Sequence, residues 1–158
     1  MIDETKMAQA KKVYQTLCEA IERRNWKFGK DEEKLLVHFG VRGEDLLMQF
    51  ILIVDAERQL IRLLSPMPNK MSEGKRMEGA IATCAASYGL VDGSFDYNLP
   101  TGEIIFRMTA SFRGSEIGEG MLQYMISCAC AVVDKYNDQF LGIDKGEISI
   151  ADFIATRY

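Results

Sequence analysis

His38 is the chain's only histidine, so a serine or cysteine nucleophile relying on an imidazole base would have to rely on it. It sits in an alternating run that reads as mid-strand, and no GxSxG elbow occurs anywhere. The four cysteines, Cys18, Cys84, Cys128 and Cys130, include no CxxC pair, and a single histidine adds little to a zinc set. Cys128 and Cys130 lie two apart on a predicted helix, so their side chains point away from each other. Gly114, Gly118 and Gly120 near a helix start suggest an anion cradle, but Glu116 and Glu119 among them would repel a phosphate. There is no P-loop and no strand followed by GxGxxG. The carboxylate pairs Glu32/Glu33 and Asp92/Asp96 fall in turns or at strand ends. Asp144, Glu147 and Asp152 lack calcium-loop spacing. The expectation is a non-enzyme with no catalytic residue, metal or cofactor.

The charge balance limits partners. A net charge of −4, with no unbroken basic stripe, argues against nucleic acid. The longest apolar run, Leu46 to Val54, is interrupted by Gln49 and too short to span a bilayer. The charged opening residues carry no apolar signal region. The expectations are no membrane, a reducing cytoplasm for the free thiols, and residues 1–158 as one domain with 140–158 as a possible C-terminal appendage.

The elements that would position these side chains follow from periodicity. Glu4 to Arg24 repeats apolar residues at three- and four-residue steps (Met7, Ala10, Val13, Tyr14, Leu17, Cys18, Ile21) and reads as a helix. Trp26 to Gly29 reads as a short strand. Leu35 to Val41, Leu46 to Val54 and Leu60 to Leu64 then form an antiparallel meander, with Gly43 able to take positive φ in the first turn. Pro66 and Pro68 read as a stop. Ser72 is expected to cap a helix running to Tyr88, its core stripe being Met77, Ala80, Ile81, Cys84, Ala85 and Tyr88. A hairpin follows, Gly93 to Leu99 and Glu103 to Phe112, then a helix from about Glu116 to Tyr136 and a short one capped by Ser149. Grouped strands and helices predict an α+β fold, a mainly antiparallel sheet packed with helices in the order α-β-β-β-α-β-β-α.

One feature of the strands is unusual. Met48, Phe50, Leu52 and Val54 line one face, yet the opposite face also carries Leu36, Ile51, Ile53, Leu60, Leu64 and Ile105, beside His38, Arg62 and Arg107. A leftover apolar sheet face flanked by arginines is a natural protein-partner surface. The competing expectation is that a helix or the tail after Phe140 covers it.

The stretch Tyr88-Gly89-Leu90-Val91-Asp92-Gly93-Ser94-Phe95-Asp96, then Gly102-Glu103-Ile104-Ile105-Phe106-Arg107, with Leu63-Leu64-Ser65-Pro66-Met67-Pro68 upstream, resembles the YbjN family of bacterial sensory transduction regulators. Ser87 stands where that family often has asparagine. The family is similar in fold to type III secretion chaperones, small α/β sandwiches that often dimerise and bind extended segments of other proteins. The resemblance implies a chaperone-like binding or regulatory module, homodimeric, in a bacterial cytoplasm, and carries over no catalytic residue. The alternative is a small-molecule sensor with a pocket between helices and sheet, lined by Met77, Cys84, Met121 and Met125.

Overall fold

The Asp3 carboxylate accepts the Thr5 N–H at 2.9 Å and opens the first helix, α1 (Glu4–Glu22), as a good N-cap should. The computed structural model describes residues 3–157. Four strands follow: β1 (Phe28–Asp31), β2 (Leu36–Arg42), β3 (Leu47–Asp55) and β4 (Leu60–Pro66). A single 3₁₀ turn (Glu73–Lys75) leads into α2 (Arg76–Tyr88). Then come β5 (Ser94–Asn98), β6 (Glu103–Ser111), α3 (Glu119–Asp144) and α4 (Ile150–Ala155).

The six strands make one sheet in the order β1-β2-β3-β4-β6-β5, every neighbouring pair antiparallel. Alternation decides which residues meet the helices. Val37, Phe39, Phe50, Leu52, Ile61, Leu63, Ile104 and Phe106 are buried on one face, against which α1, α2 and α3 pack. The alternate residues of β2, β3, β4 and β6 are half-buried or exposed. The sheet therefore has one helix-covered face and one open face.

Several local expectations change. β4 extends two residues beyond the expected Leu64 and ends at Pro66, which pairs with Ile105. Pro66 has no N–H to offer β3, and the Gln49 carbonyl accepts instead from the Ser65 hydroxyl at 2.7 Å. Gly43 is not at positive φ; the left-handed glycines are Gly93, Gly102, Gly114 and Gly146. Gly43 is bare for another reason. A Cβ there would stand 2.1 Å from Asp134 Oδ1, which accepts the Glu44 N–H at 3.0 Å and ties the β2–β3 turn to α3. Ser72 does not cap α2. Its N–H and hydroxyl both donate to Asp144 Oδ1, at 2.7 and 2.8 Å, fastening this segment to the end of α3. Ser149 does cap α4, accepting the Asp152 N–H at 3.0 Å.

The largest correction concerns α2. Its buried residues are Gly79, Ala82, Thr83, Ala85 and Ala86, not the large residues of the expected stripe. Met77 is 67% exposed, Ile81 44% and Tyr88 76%, and Cys84 is exposed too. The small face lets α2 lie close to β5: a Cβ on Gly79 would come 2.5 Å from Met71 Cγ and 2.7 Å from the Tyr97 hydroxyl.

The third helix continues to Asp144 rather than ending near Tyr136, and it buries Phe140 and Ile143. α4 packs on α2, with Phe153 buried and its ring 6.2 Å from that of Phe140. Arg157 lies over Phe153, 3.6 Å from the ring centroid, and donates to Gln139 Oε1 at 2.6 Å. The tail thus belongs to the helix layer, on the side of the sheet away from the open face.

Candidate functional site

Strand register arranges the open face in rows. His38 pairs with Ile51, Ile51 with Leu64, Leu64 with Arg107, and Arg107 with Ser94. The next row runs Asp31, Leu36, Ile53, Arg62 and Thr109. Leu60 lies between Asp55 and Ser111, and Ile105 between Pro66 and Asp96. Leu36, Ile51, Ile53, Leu60, Arg62, Ile105 and Arg107 are all half-buried and His38 is exposed. The eight residues singled out from sequence therefore share one surface.

That surface is apolar at its centre, with Arg62 and Arg107 set among Asp31, Asp55 and Asp96. Arg107 is neutralised: its Nε and one terminal nitrogen donate to Asp96 at 2.6 and 2.8 Å, and this ion pair raises the guanidinium's pKa. Arg62, between Ile53 and Thr109, has a buried Nε without a hydrogen-bond partner and forms no ion pair among the described residues. Its charge reaches Asp55. Burial pushes that carboxyl up, but the Arg58 N–H at 2.8 Å and the Arg58 and Arg62 guanidinium charges hold it below the usual carboxylate range. His38 covers Gly29 on the edge strand; a Cβ on Gly29 would stand 2.2 Å from its Nε2.

Two further surfaces escaped the reading of the sequence. The exposed side of α2 presents Met77, Ile81 and Cys84 at helical spacing, and Ala80, Ile81, Cys84 and Ala85 line a shallow apolar recess with Ile154 of α4. The residue sizes were legible, but their direction was not. Met121 is also exposed, whereas Met125 is buried, so Met77, Cys84, Met121 and Met125 do not line a common pocket beneath the sheet. The second surface is a groove of about 850 Å³ between α1 and the β1–β2 hairpin. Burial, with Cys18 next to it and Glu32 and Asp31 nearby, pushes the Tyr14 phenol in this groove up to about 12. Burial likewise raises the Cys18 thiol.

The segment holding Gly114, Gly118 and Gly120 is tied to α1 by ion pairs, Glu116 with Lys12 and Glu119 with Arg23. Ser87 accepts the Phe95 N–H at 2.8 Å and so joins the end of α2 to β5.

No protein-family model matches the chain, and no curated protein does. Solved structures do. One is a chain from the crystal structure of the ExsC–ExsE complex, with a TM-score of 0.58 and 14% identity, covering 80% of this chain and 92% of that one. Another is YbjN from E. coli, a candidate transcription regulator, with a TM-score of 0.55 and 9% identity over the same shares. No helix among the described residues is long and apolar enough to cross a membrane. The helix-covered antiparallel sheet described above is the YbjN-like, type III secretion chaperone-like fold.

Proposed function

We propose that the protein is a non-enzymatic, chaperone-like binding module that holds a segment of another protein on the open face of its sheet. The observation that carries this reading is the row structure of that face: Leu36, Ile51, Ile53 and Leu64 side by side, with Arg62 among them forming no ion pair among the described residues. Burying an aliphatic side chain completely is worth about 1.5–3 kcal/mol, and these half-buried residues retain part of that gain for a partner. A partner's carboxylate would pair with the Arg62 guanidinium, which forms no ion pair among the described residues. Spacings of about 4.8 Å between strands and 3.3 Å per residue make the face roughly 24 by 20 Å, the scale of a peptide segment. Similarity to a chain from a two-protein complex supports the reading.

We further propose that the protein is a homodimer. The apolar side of α2 carries no charge among Met77, Ile81 and Cys84, so it can meet its own copy across a two-fold axis. Four free cysteines support a reducing compartment, which we take to be a bacterial cytoplasm.

The test is affinity selection from a display library of random extended peptides, with the wild type and with Ile53→Asp as bait. The expected winners alternate apolar residues, contain an acidic residue and are retained by the wild type alone. Equal enrichment by both baits would refute the sheet-face site.

A further inference from the structure

We propose that the groove along α1 is a second docking site, whose occupant is a basic amphipathic segment of a partner protein. Met7, Tyr14 and Cys18 from α1 and Leu35, the residue before β2, form its apolar floor. Tyr14 and Leu35 are buried and the other two half-buried. Glu19, Glu22, Glu32 and Glu33 stand around it, against Lys11 and Lys30. Lys30 is already engaged, 2.9 Å from Glu32. Glu19, Glu22 and Glu33 form no ion pair among the described residues, although Gln15 donates to Glu19 at 3.1 Å. The uncompensated charge of the groove is therefore negative.

Shape and charge together define the occupant. The α1 residues of the groove run from Met7 to Glu22, about 22 Å at 1.5 Å per residue. That length matches four turns of a helix or a shorter extended segment. An apolar floor calls for apolar side chains on one side of the segment, and unpaired carboxylates call for lysine or arginine along its flanks. A simple polycation would leave the floor unfilled. An acidic segment, the kind suited to Arg62 on the sheet face, would be repelled. The two sites thus select opposite charges, and this one rests on the protein-binding reading only in that its occupant is protein.

The probe is a dye-labelled eighteen-residue amphipathic peptide of leucine and lysine, with a leucine–glutamate peptide as its counterpart. Fluorescence anisotropy is read for the full chain, for E19Q/E22Q/E33Q, for E44Q/E57Q/E147Q and for Ile53→Asp. The second triple variant removes the same charge from exposed positions outside the groove. The basic peptide is expected to bind the native chain and to lose at least tenfold in affinity for E19Q/E22Q/E33Q. Its affinity should change less than twofold for E44Q/E57Q/E147Q and for Ile53→Asp. Equal losses in both triple variants would reduce the effect to net charge and overturn the proposal, as would equal binding of the acidic peptide. Loss in Ile53→Asp would move the basic peptide to the sheet face and overturn it too. On the unmutated chain, the Met7 methyl resonance must shift on titration with the basic peptide; a stationary Met7 signal also overturns the proposal.

Discussion

Arg107 reaches to Asp96 on the neighbouring strand and grips it with two hydrogen bonds, 2.6 and 2.8 Å long, at the margin of the open sheet face. That pairing sorts the two arginines of the surface. Arg107 is already satisfied, and breaking an exposed pair costs only about 0.2–1 kcal/mol. Arg62 is half-buried and forms no ion pair among the described residues, so a ligand's carboxylate gains most at its guanidinium. For a peptide selected on the wild type, Arg62→Ala should weaken binding at least tenfold and Arg107→Ala less than threefold. Isothermal titration of both variants checks the order.

The two faces of β4 should differ in stability. Leu63 is fully buried under the helices, and Leu63→Ala should cost about 2–5 kcal/mol. Leu64, its neighbour on the open face, is half-buried, and Leu64→Ala should cost less than half as much. Urea denaturation midpoints at constant slope decide this.

These faces were legible because a strand's period of two fixes them once a few core residues are recognised; Leu52 and Ile53 could be sorted from sequence alone. The direction of α2 could not. Its buried residues are Gly79, Ala82, Thr83, Ala85 and Ala86, and Gly79 stands against Tyr97 of β5, so close packing selects small residues and leaves Met77 and Ile81 outside. A rule that sends large apolar residues inward fails wherever backbones approach this closely. The groove was hidden for a different reason. Glu19 and Glu22 come from α1 whereas Glu32 and Glu33 come from the following turn, and only the tertiary fold brings them together. Helix ends were the least legible part: Ser72 bonds to Asp144, far away in sequence, where a local cap was expected.

Gly102 should tolerate no side chain. It sits at φ +76°, and a Cβ would stand 2.3 Å from the Met71 carbonyl oxygen, while Met71 donates its N–H to the Gly102 carbonyl at 2.9 Å. Neither backbone can yield easily. Strain at such a position is worth about 1–3 kcal/mol before the clash is counted. Gly102→Ala should therefore lower the thermal midpoint by several degrees, measured by circular dichroism.

The exposed side of α2 predicts a mass. Light scattering should give twice the chain mass for the native protein and a single chain mass for Ile81→Asp, which should still unfold cooperatively but at a lower thermal midpoint. Cys84 gives a second readout. Its thiol should react with a maleimide faster in Ile81→Asp than in the native chain. Cys130, whose thiol burial pushes up to about 11, should be slow in both.

Asp55 predicts a pH dependence. Burial opposes its charge, yet Arg58 and Arg62 keep its carboxyl below the usual range in the folded chain. A group held low in the fold contributes its full stability above the unfolded carboxylate value, about pH 4, and loses it as pH falls through the folded value. Asp55→Asn should lower stability at neutral pH and narrow its gap to the native chain on acidification. Urea midpoints at pH 7 and pH 3 check the sign.

The most direct test of the sheet-face account is a methyl spectrum of the isoleucine- and leucine-labelled chain titrated with a selected acidic–apolar peptide. The account predicts that the signals of Leu36, Ile51, Ile53 and Leu64 move together, while Ile81 on α2 stays still. Movement of Ile81 with a silent Ile51 and Ile53 would contradict it and assign partner binding to the helix layer.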